Sequence, residues 1–237
     1  MKSLNSIIAG ALAAWLSMSQ PIFAEPQAVN TKAPDPIKIS ASVDYNSKYV
    51  FRGFTFSETP VIQTTVIANQ GDVSVIGFAN VDAQTRELTE ADVTLEYTKP
   101  IGKNATLSLG YTYLGLPTTD FKKTQEVYAG ITIENSLKPT LRVFHDFDKG
   151  KGTYTEFSLS KEFNIGSQPI SVSTTLGHND HYFREGSGFS QLELNINAPI
   201  QLGKNTTIFP KIKYSKSLCP EDFKTQLQYG VGVEFTF

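Results

Sequence analysis

Apolar and polar residues alternate with a period of two along most of the chain after residue 36. In the segment Ile37–Tyr45 the odd positions are apolar, and the even positions are Lys38, Ser40, Ser42 and Asp44. The same alternation recurs in segments 91–98, 105–113, 127–134, 170–177 and 227–237. A period of two places successive side chains on opposite faces, as in a β-strand. The pattern therefore predicts an all-β protein.

Twelve segments of this kind are predicted to be strands. Each is about 10 to 15 residues long, which is enough to cross a bilayer at the tilt of about 45° found in membrane barrels. The second, third and seventh segments alternate less regularly, so a count that differs by two stays open. The predicted spans are 37–47, 60–70, 72–83, 89–99, 103–115, 123–134, 138–147, 152–164, 168–177, 188–197, 204–214 and 223–237.

The connections between these strands alternate in length. Short turns follow the even strands, at 69–72, 100–103, 135–138 and 165–168. Longer loops follow the odd strands, at 47–59, 115–122, 178–188 and 215–222. Bacterial outer-membrane barrels combine short periplasmic turns, long outer loops and an even strand number. We therefore predict a transmembrane antiparallel up-and-down β-barrel of about 12 strands.

A soluble sandwich or lipocalin-like barrel produces the same alternation, with its apolar face inside. Two features favour the membrane barrel. The strands exceed the usual five or six residues. Small residues recur on the polar face, where a lumen must not be overfilled: Gly110, Gly130, Gly177, Gly230 and Gly232.

Outward aromatic residues are expected to form girdles at both membrane interfaces. Near the outer rim these are Tyr45, Tyr113, Tyr214 and Tyr229, and near the periplasmic rim Tyr97, Phe163, Phe235 and Phe237. Phe237 also resembles the terminal signal that the outer-membrane assembly machinery recognises. We therefore expect that machinery and outer-membrane lipids to be partners.

The beginning of the chain predicts secretion. Lys2 is followed by an apolar run at Ile7–Leu16 and by small and polar residues up to Ala24. This order is that of a signal peptide, over residues 1–24. Residues 25–36 are rich in proline, alanine and polar residues and are predicted to be a flexible periplasmic leader, which leaves 37–237 for the barrel.

Charge and cysteine content narrow the function classes. The chain has 21 basic and 23 acidic residues, and removal of residues 1–24 takes away one basic residue, Lys2, and no acidic one. A balance so close to neutral argues against a nucleic-acid partner. The single cysteine, Cys219, allows no internal disulfide and is expected to be a loop thiol without function.

One part of the chain resembles a known family. The segments Asn46–Gly53 (NSKYVFRG), Glu58–Gln63 (ETPVIQ), Phe78–Asp82 (FANVD) and Glu126–Gly130 (EVYAG) are similar to the TorF family of porins. The chain departs from the family at Ala79, where an aromatic-rich Gly-Val-Trp stretch is common. The resemblance implies a porin-like channel of poorly defined substrate, without catalytic or ligand-binding residues to assign.

A channel obtains its selectivity from the width of its pore and the charges that line it. The residues expected to line the lumen are Asp44, Asp92, Glu96, Glu126, Glu134, Arg142, Glu156, Glu193, Lys211 and Lys213, with Lys38, Glu162 and Glu234 at further inward positions. The excess of acids predicts a preference for cations among small polar solutes. The alternative is that these charges pair across a narrow lumen and block it.

The loop from Tyr49 to Pro60 is long and aromatic, and Arg52 is its one arginine. It can fold inward as a constriction or remain on the surface.

Two other functions stay open: a hydrolase barrel and a structural barrel without a pore. The hydrolase would use His178 and His181, with Ser187, Ser190, His145 and Asp146 nearby, but their spacing matches no catalytic motif. The two loop histidines are also weak evidence for a metal site. We expect no catalytic residues, no metal and no cofactor.

Overall fold

The computed structural model describes residues 35–120 and 122–237. The predicted signal peptide and nearly all of the predicted leader lie outside these residues. In the part described, no helix is long and apolar enough to span a membrane.

The described chain contains fifteen strands. Their bounds are β1 Lys38–Asn46, β2 Tyr49–Phe51, β3 Phe54–Ser57, β4 Val61–Gln70, β5 Val73–Asp82, β6 Leu88–Ile101, β7 Ala105–Leu116, β8 Lys122–Ile133, β9 Thr140–Asp146, β10 Gly152–Ile165, β11 Gln168–Asp180, β12 Ser187–Asn197, β13 Ile200–Gln201, β14 Thr206–Ser217 and β15 Gln226–Thr236.

Twelve of these strands form one closed antiparallel barrel. Each pairs with its neighbour in the chain order β1, β4 to β12, β14 and β15, and β15 pairs with β1 to close the ring. Closure gives each of these twelve strands a partner on both sides, as a wall in lipid requires. The predicted fold class and strand number are confirmed. The predicted alternation of short turns with longer loops holds only in part, because the connections 134–139 and 198–205 at the short-turn end are at least as long as the outer loops 83–87, 117–121 and 147–151.

The barrel has an apolar outside and a polar inside. Val93 and Leu95 on β6 are more than half exposed, whereas Asp92, Thr94 and Glu96, which alternate with them, are buried. In a water-soluble barrel the apolar face would be the buried one. The exterior is therefore suited to lipid and the interior to water and ions.

The expected aromatic girdles lie on the exterior. Tyr45, Tyr214 and Tyr229 are exposed near the long-loop end of the barrel, and Phe163 and Phe235 are exposed near the short-turn end. Aromatic side chains at the two ends of an apolar wall are typical of membrane barrels.

The inward glycines leave space for particular large side chains. A Cβ on Gly110 would collide with the Tyr128 ring, and one on Gly130 would lie 2.6 Å from Cγ of Arg142. On Gly177 it would meet the Tyr154 hydroxyl. The small residues on the polar face are thus required by the packing of the interior.

Several strand bounds differ from the predicted ones. Strand β11 continues to Asp180, so His178 belongs to a strand and not to a loop. Lys38 and Glu162, which were expected to face inward, lie exposed at strand ends by the short-turn rim, so they are not enclosed by the barrel.

Candidate functional site: the barrel interior and the inward hairpin

The longest loop enters the barrel. Strands β2 and β3 pair as a short hairpin, which we call the inward hairpin (residues 49–57). Tyr49, Val50 and Arg52 are buried although they belong to a loop. The hairpin therefore lies within the mouth of the barrel and not above it.

The turn of the inward hairpin follows from its two central residues. Phe51 pairs with Phe54, which leaves Arg52 and Gly53 as a two-residue turn with positive φ angles of 51° and 88°. Positive φ at both positions is what a type I′ turn requires. A Cβ on Gly53 would lie 3.0 Å from Gln191 and from Phe223, so glycine is also needed for the fit against the wall.

Apolar residues on the inner wall hold one side of the hairpin. Tyr49 packs against Val61 on β4 and Phe78 on β5, both of which face inward. These strands are the second and third of the predicted twelve, whose alternation is irregular. Their alternation is irregular because inward positions such as Val61 and Phe78 are apolar, and these residues contact the inward hairpin.

Arg52 crosses the lumen to the opposite wall. Its Nη1 and Nη2 donate to Oε2 and Oε1 of Glu126 on β8 at 2.6 and 3.1 Å. Around the ring of strands, β8 is five steps from β1 in one direction and seven in the other. The hairpin that begins after β1 is therefore fixed almost diametrically across the barrel.

Four aromatic rings surround the same guanidinium. The Cζ of Arg52 lies 3.8 Å from the ring centroid of Phe144, 4.6 Å from Phe51, 5.0 Å from Tyr154 and 5.1 Å from Tyr182. We call these four rings and the Glu126 carboxylate the Arg52 cage. Distances below about 6 Å from cation to ring are favourable, above all where water is excluded.

Tyr182 is positioned by a clamp on its backbone. The Asn179 side chain accepts a hydrogen bond from the Tyr182 amide and donates one to its carbonyl, both at 3.0 Å. The Tyr182 hydroxyl then donates to Glu126 at 2.8 Å and lies 2.5 Å from Nη1 of Arg52. The sequence offered no direct signal for this residue, because its role depends on a loop that bends inward.

The two titratable groups that loops bring to the cage, the Arg52 guanidinium and the Tyr182 phenol, have shifted pKa values. Burial disfavours the charged form of Arg52, but the Glu126 carboxylate outweighs it, and the pKa of the guanidinium lies above its ordinary value. Burial raises the pKa of the Tyr182 phenol; Arg52 opposes the rise and Glu126 adds to it. Arg52 is thus a permanent cation, and Tyr182 remains a neutral hydroxyl.

Other contacts fix the hairpin from the side of β14 and β15. Nζ of Lys213 donates to the Val50 carbonyl at 2.7 Å, and Phe54 packs edge-on against Phe223 at 5.0 Å. At the rim, Glu58 contacts Lys48 and Lys224 at 3.5 and 3.4 Å. These rim pairs are exposed, so the buried contacts contribute most of the stabilisation.

The predicted lining residues lie at several places in the interior. Asp44, Asp92, Glu96, Glu126, Arg142, Glu156 and Glu193 are buried inside the barrel, Lys211 and Lys213 are half-buried there, and Glu134 is half-buried at the short-turn end. Buried Glu90 and Asp146 were missed, because each lies at the end of a strand, where the register is hard to assign. Extension of the alternation from Asp92 would have placed Glu90 on the inner face.

Only part of the interior charge is paired. Ion pairs join Arg52 to Glu126, Lys211 to Asp44 at 2.5 Å and Arg142 to Glu156 at 3.7 Å. The remaining interior carboxylates form no ion pair within the described residues: Glu90, Asp92, Glu96, Asp146, Glu193 and Glu234. The interior acids and bases therefore do not all pair with one another across the lumen.

An open space of about 180 Å³ borders the inward hairpin. More than half of the residues that line it are polar or charged, among them Asp92, Glu96, Glu193 and Gln228, and apolar residues and aromatic rings such as Phe78 and Tyr128 supply the rest. Arg142 is buried nearby, and none of its three guanidinium nitrogens has a hydrogen-bond partner among the described residues. Buried polar atoms of this kind are normally satisfied by water, which indicates a hydrated interior.

The histidines considered for hydrolysis do not meet in one place. His178 faces outward and packs edge-on against Phe189, and His145 on the exterior contacts Thr153 at 3.1 Å. His181 contacts Asp180, and Ser187 donates to the same carboxylate. A catalytic triad places the imidazole between serine and acid, whereas here the acid lies between the other two.

Across residues 35–120 and 122–237, no three His, Cys, Asp or Glu side chains are grouped so that they could hold a metal ion.

Comparison with known proteins identifies the fold. No protein-family model matches the sequence, and no curated protein matches it either. Among solved structures, the chain is similar to the NanC porin with a TM-score of 0.57 at 12% identity, over 84% of this chain and 100% of that one. The KdgM porin in complex with disordered oligogalacturonate gives 0.57 at 12% identity, over 84% and 99%. The outer membrane protein Omp33 of Acinetobacter baumannii gives 0.51 at 8% identity, over 86% and 99%.

The fold is that of outer-membrane porins. Together with the apolar exterior and the closed wall, this places the protein among outer-membrane β-barrels, as the sequence predicted. Identities of 8 to 12% support a shared fold, but not a shared solute or shared site residues. The resemblance to the TorF family stays a prediction, since no family model supports it.

Proposed function

We propose that the protein is a porin-like channel for the passive diffusion of small polar solutes across the outer membrane, with no enzymatic activity. The observation that carries the proposal is a polar, charged interior with an open space, inside a closed barrel with an apolar exterior. A purely structural barrel would have no need for buried charges in its lumen, because each is costly to desolvate. The inward hairpin, with Arg52 at its tip, is the proposed constriction.

The proposed channel prefers cations. Nine interior carboxylates are buried, against four basic residues, Arg52, Arg142, Lys211 and Lys213. A lumen with this excess attracts cations and repels anions. For the same reason we do not extend to this chain an acidic oligosaccharide such as the oligogalacturonate present with KdgM.

The test is electrical. Purified, folded protein is inserted into a planar bilayer, and single-channel currents and the reversal potential in a KCl gradient are recorded. We expect discrete conductance steps and a reversal potential of the sign that K⁺ selectivity gives. Absence of current from folded protein would contradict the channel, and a potential of the opposite sign would contradict the cation preference.

Two matched variants test the role of the interior charge. Glu193→Gln removes a buried interior carboxylate with little change in shape, and Glu185→Gln removes an exposed loop carboxylate. We expect the first to lower the ratio of cation to anion permeability and the second to leave it near the wild-type value. Equal effects would mean that the interior charge does not set selectivity.

A further inference from the structure

The Arg52 cage has the composition of a binding site for an organic cation. Four aromatic faces and one carboxylate enclose a single guanidinium in the lumen. Proteins that recognise cationic ligands use aromatic cages of this kind. In the present state the occupant is a side chain of the protein's own loop.

The occupant and the wall are joined only by non-covalent contacts. Phe144, Tyr154 and Glu126 belong to barrel strands, whereas Arg52 and Phe51 belong to the inward hairpin. If the hairpin moves outward, the wall keeps two rings and the carboxylate, and Tyr182 remains on its Asn179 clamp. A vacated cage would therefore still present three rings and one carboxylate to the lumen.

We propose that this wall site binds small solutes that carry a guanidinium group, and that Arg52 competes with them for it. The proposal rests on the proposed channel function, for which it names a class of solute. The hairpin then acts both as the constriction and as a tethered competitor that the solute displaces.

The geometry favours guanidinium over a simple amine. Glu126 receives two parallel hydrogen bonds from the fork of Arg52, an arrangement that a planar guanidinium forms and an ammonium does not. The flat group also lies close to the Phe144 ring, as stacking requires. Methylguanidinium is thus the smallest probe of the site, and methylammonium is its matched comparator.

The first measurement is chemical rescue of Arg52→Ala. Removal of the side chain vacates the cage, and we expect methylguanidinium at millimolar concentration to raise the unfolding temperature of this variant in a saturable manner, because a ligand of the folded state stabilises it. Wild type, whose cage is occupied, and Arg86→Ala, which removes an exposed arginine of the 83–87 loop, should shift much less. Methylammonium at equal ionic strength should have a weaker effect on Arg52→Ala.

The second measurement uses the channel current. Methylguanidinium should block Arg52→Ala channels, and the double variant Arg52→Ala/Glu126→Gln should require at least about tenfold more of it for half block, since one charge-assisted hydrogen-bonding partner is lost. Arg52→Gln, which keeps a polar side chain but lacks the guanidinium, replaces Arg52→Ala if the latter does not fold. Folding is checked by the heat-dependent shift in electrophoretic mobility.

The two proposals fail in different ways. If no variant conducts, the channel is wrong, and the unfolding temperature still reports on the cage. If Arg52→Ala conducts but methylguanidinium neither stabilises nor blocks it, the site is wrong and the channel stands. Equal effects of methylguanidinium and methylammonium would contradict the guanidinium specificity.

Discussion

At the scale of single residues, the interior is packed by pairs of one small and one large side chain on neighbouring strands. Gly110 on β7 faces Tyr128 on β8, whose hydroxyl donates to Glu96 on β6 at 2.5 Å. The glycine thereby lets one ring lie flat along the wall and reach a carboxylate two strands away. Because the ring lies along the wall, it does not extend into the centre of the lumen.

This packing leads to a prediction for Gly110→Ala. The added methyl group would overlap the Tyr128 ring, so the ring must leave its place and its hydrogen bond to Glu96. We expect a loss of about 1–3 kcal/mol in the free energy of unfolding, the usual cost of overpacking. Urea unfolding of the refolded barrel in micelles measures it.

The matched control for that substitution is Gly77→Ala. Gly77 lies in strand β5 with open space around its Cβ position, so a methyl group there meets nothing within 4 Å. Its stability should stay close to wild type. A loss at Gly77 as large as that at Gly110 would show that strand propensity, and not the Tyr128 contact, accounts for the effect.

Residue-scale features of the site were only partly predictable. The inward faces of Asp92, Glu96 and Glu193 follow from alternation, which the wall enforces. The partnership of Arg52 with Tyr182 does not, because these residues are separated by 130 positions and meet only when two loops bend inward. Local pattern carries no information on such a contact.

At the scale of elements, the inward hairpin is the segment that lies across the mouth of the barrel. It is anchored on β4 and β5 through Tyr49, on β8 through Arg52 and on β14 through Lys213. Irregular alternation in the second, third and seventh predicted strands was the available sequence signal. Apolar inward residues such as Val61, Phe78 and Phe144 interrupt the polar face where these strands meet the hairpin or the cage.

Replacement of the inward hairpin tests its role directly. In a variant where residues 49–57 become Gly-Ser-Gly, the twelve-stranded wall is unchanged and the segment across the mouth is gone. We expect a larger single-channel conductance. We also expect a stronger cation preference, because Arg52 leaves the lumen while the interior carboxylates stay.

A second loop provides the control for shortening as such. Residues 83–87 connect β5 and β6, and most of them are exposed. Replacement of 84–86 by Gly-Ser should leave the conductance near wild type. Equal conductance in wild type and in the hairpin variant would show that the hairpin does not constrict the pore.

At the scale of the whole molecule, the barrel is a wall that separates two dielectric environments. Its exterior is apolar, and its interior holds six carboxylates that form no ion pair within the described residues: Glu90, Asp92, Glu96, Asp146, Glu193 and Glu234. Because these are most of the buried interior acids, we expect the lumen as a whole to carry a negative potential, in line with the proposed cation preference. The fold and the expected sign of the charge in the lumen both follow from the period-two alternation and from the excess of acids at inward positions. Both features can be read from a single sequence.

That negative potential predicts selectivity that depends on salt. Mobile ions screen charges over about 10 Å at 0.1 M and about 3 Å at 1 M ionic strength. We therefore expect the ratio of K⁺ to Cl⁻ permeability to fall markedly when the same tenfold KCl gradient is moved from low to high concentration. Reversal potentials at the two settings measure it, with Glu193→Gln expected to start lower and fall less. A ratio that does not change with salt would assign selectivity to contacts at the constriction, where ions lose their water, and not to the field of the barrel.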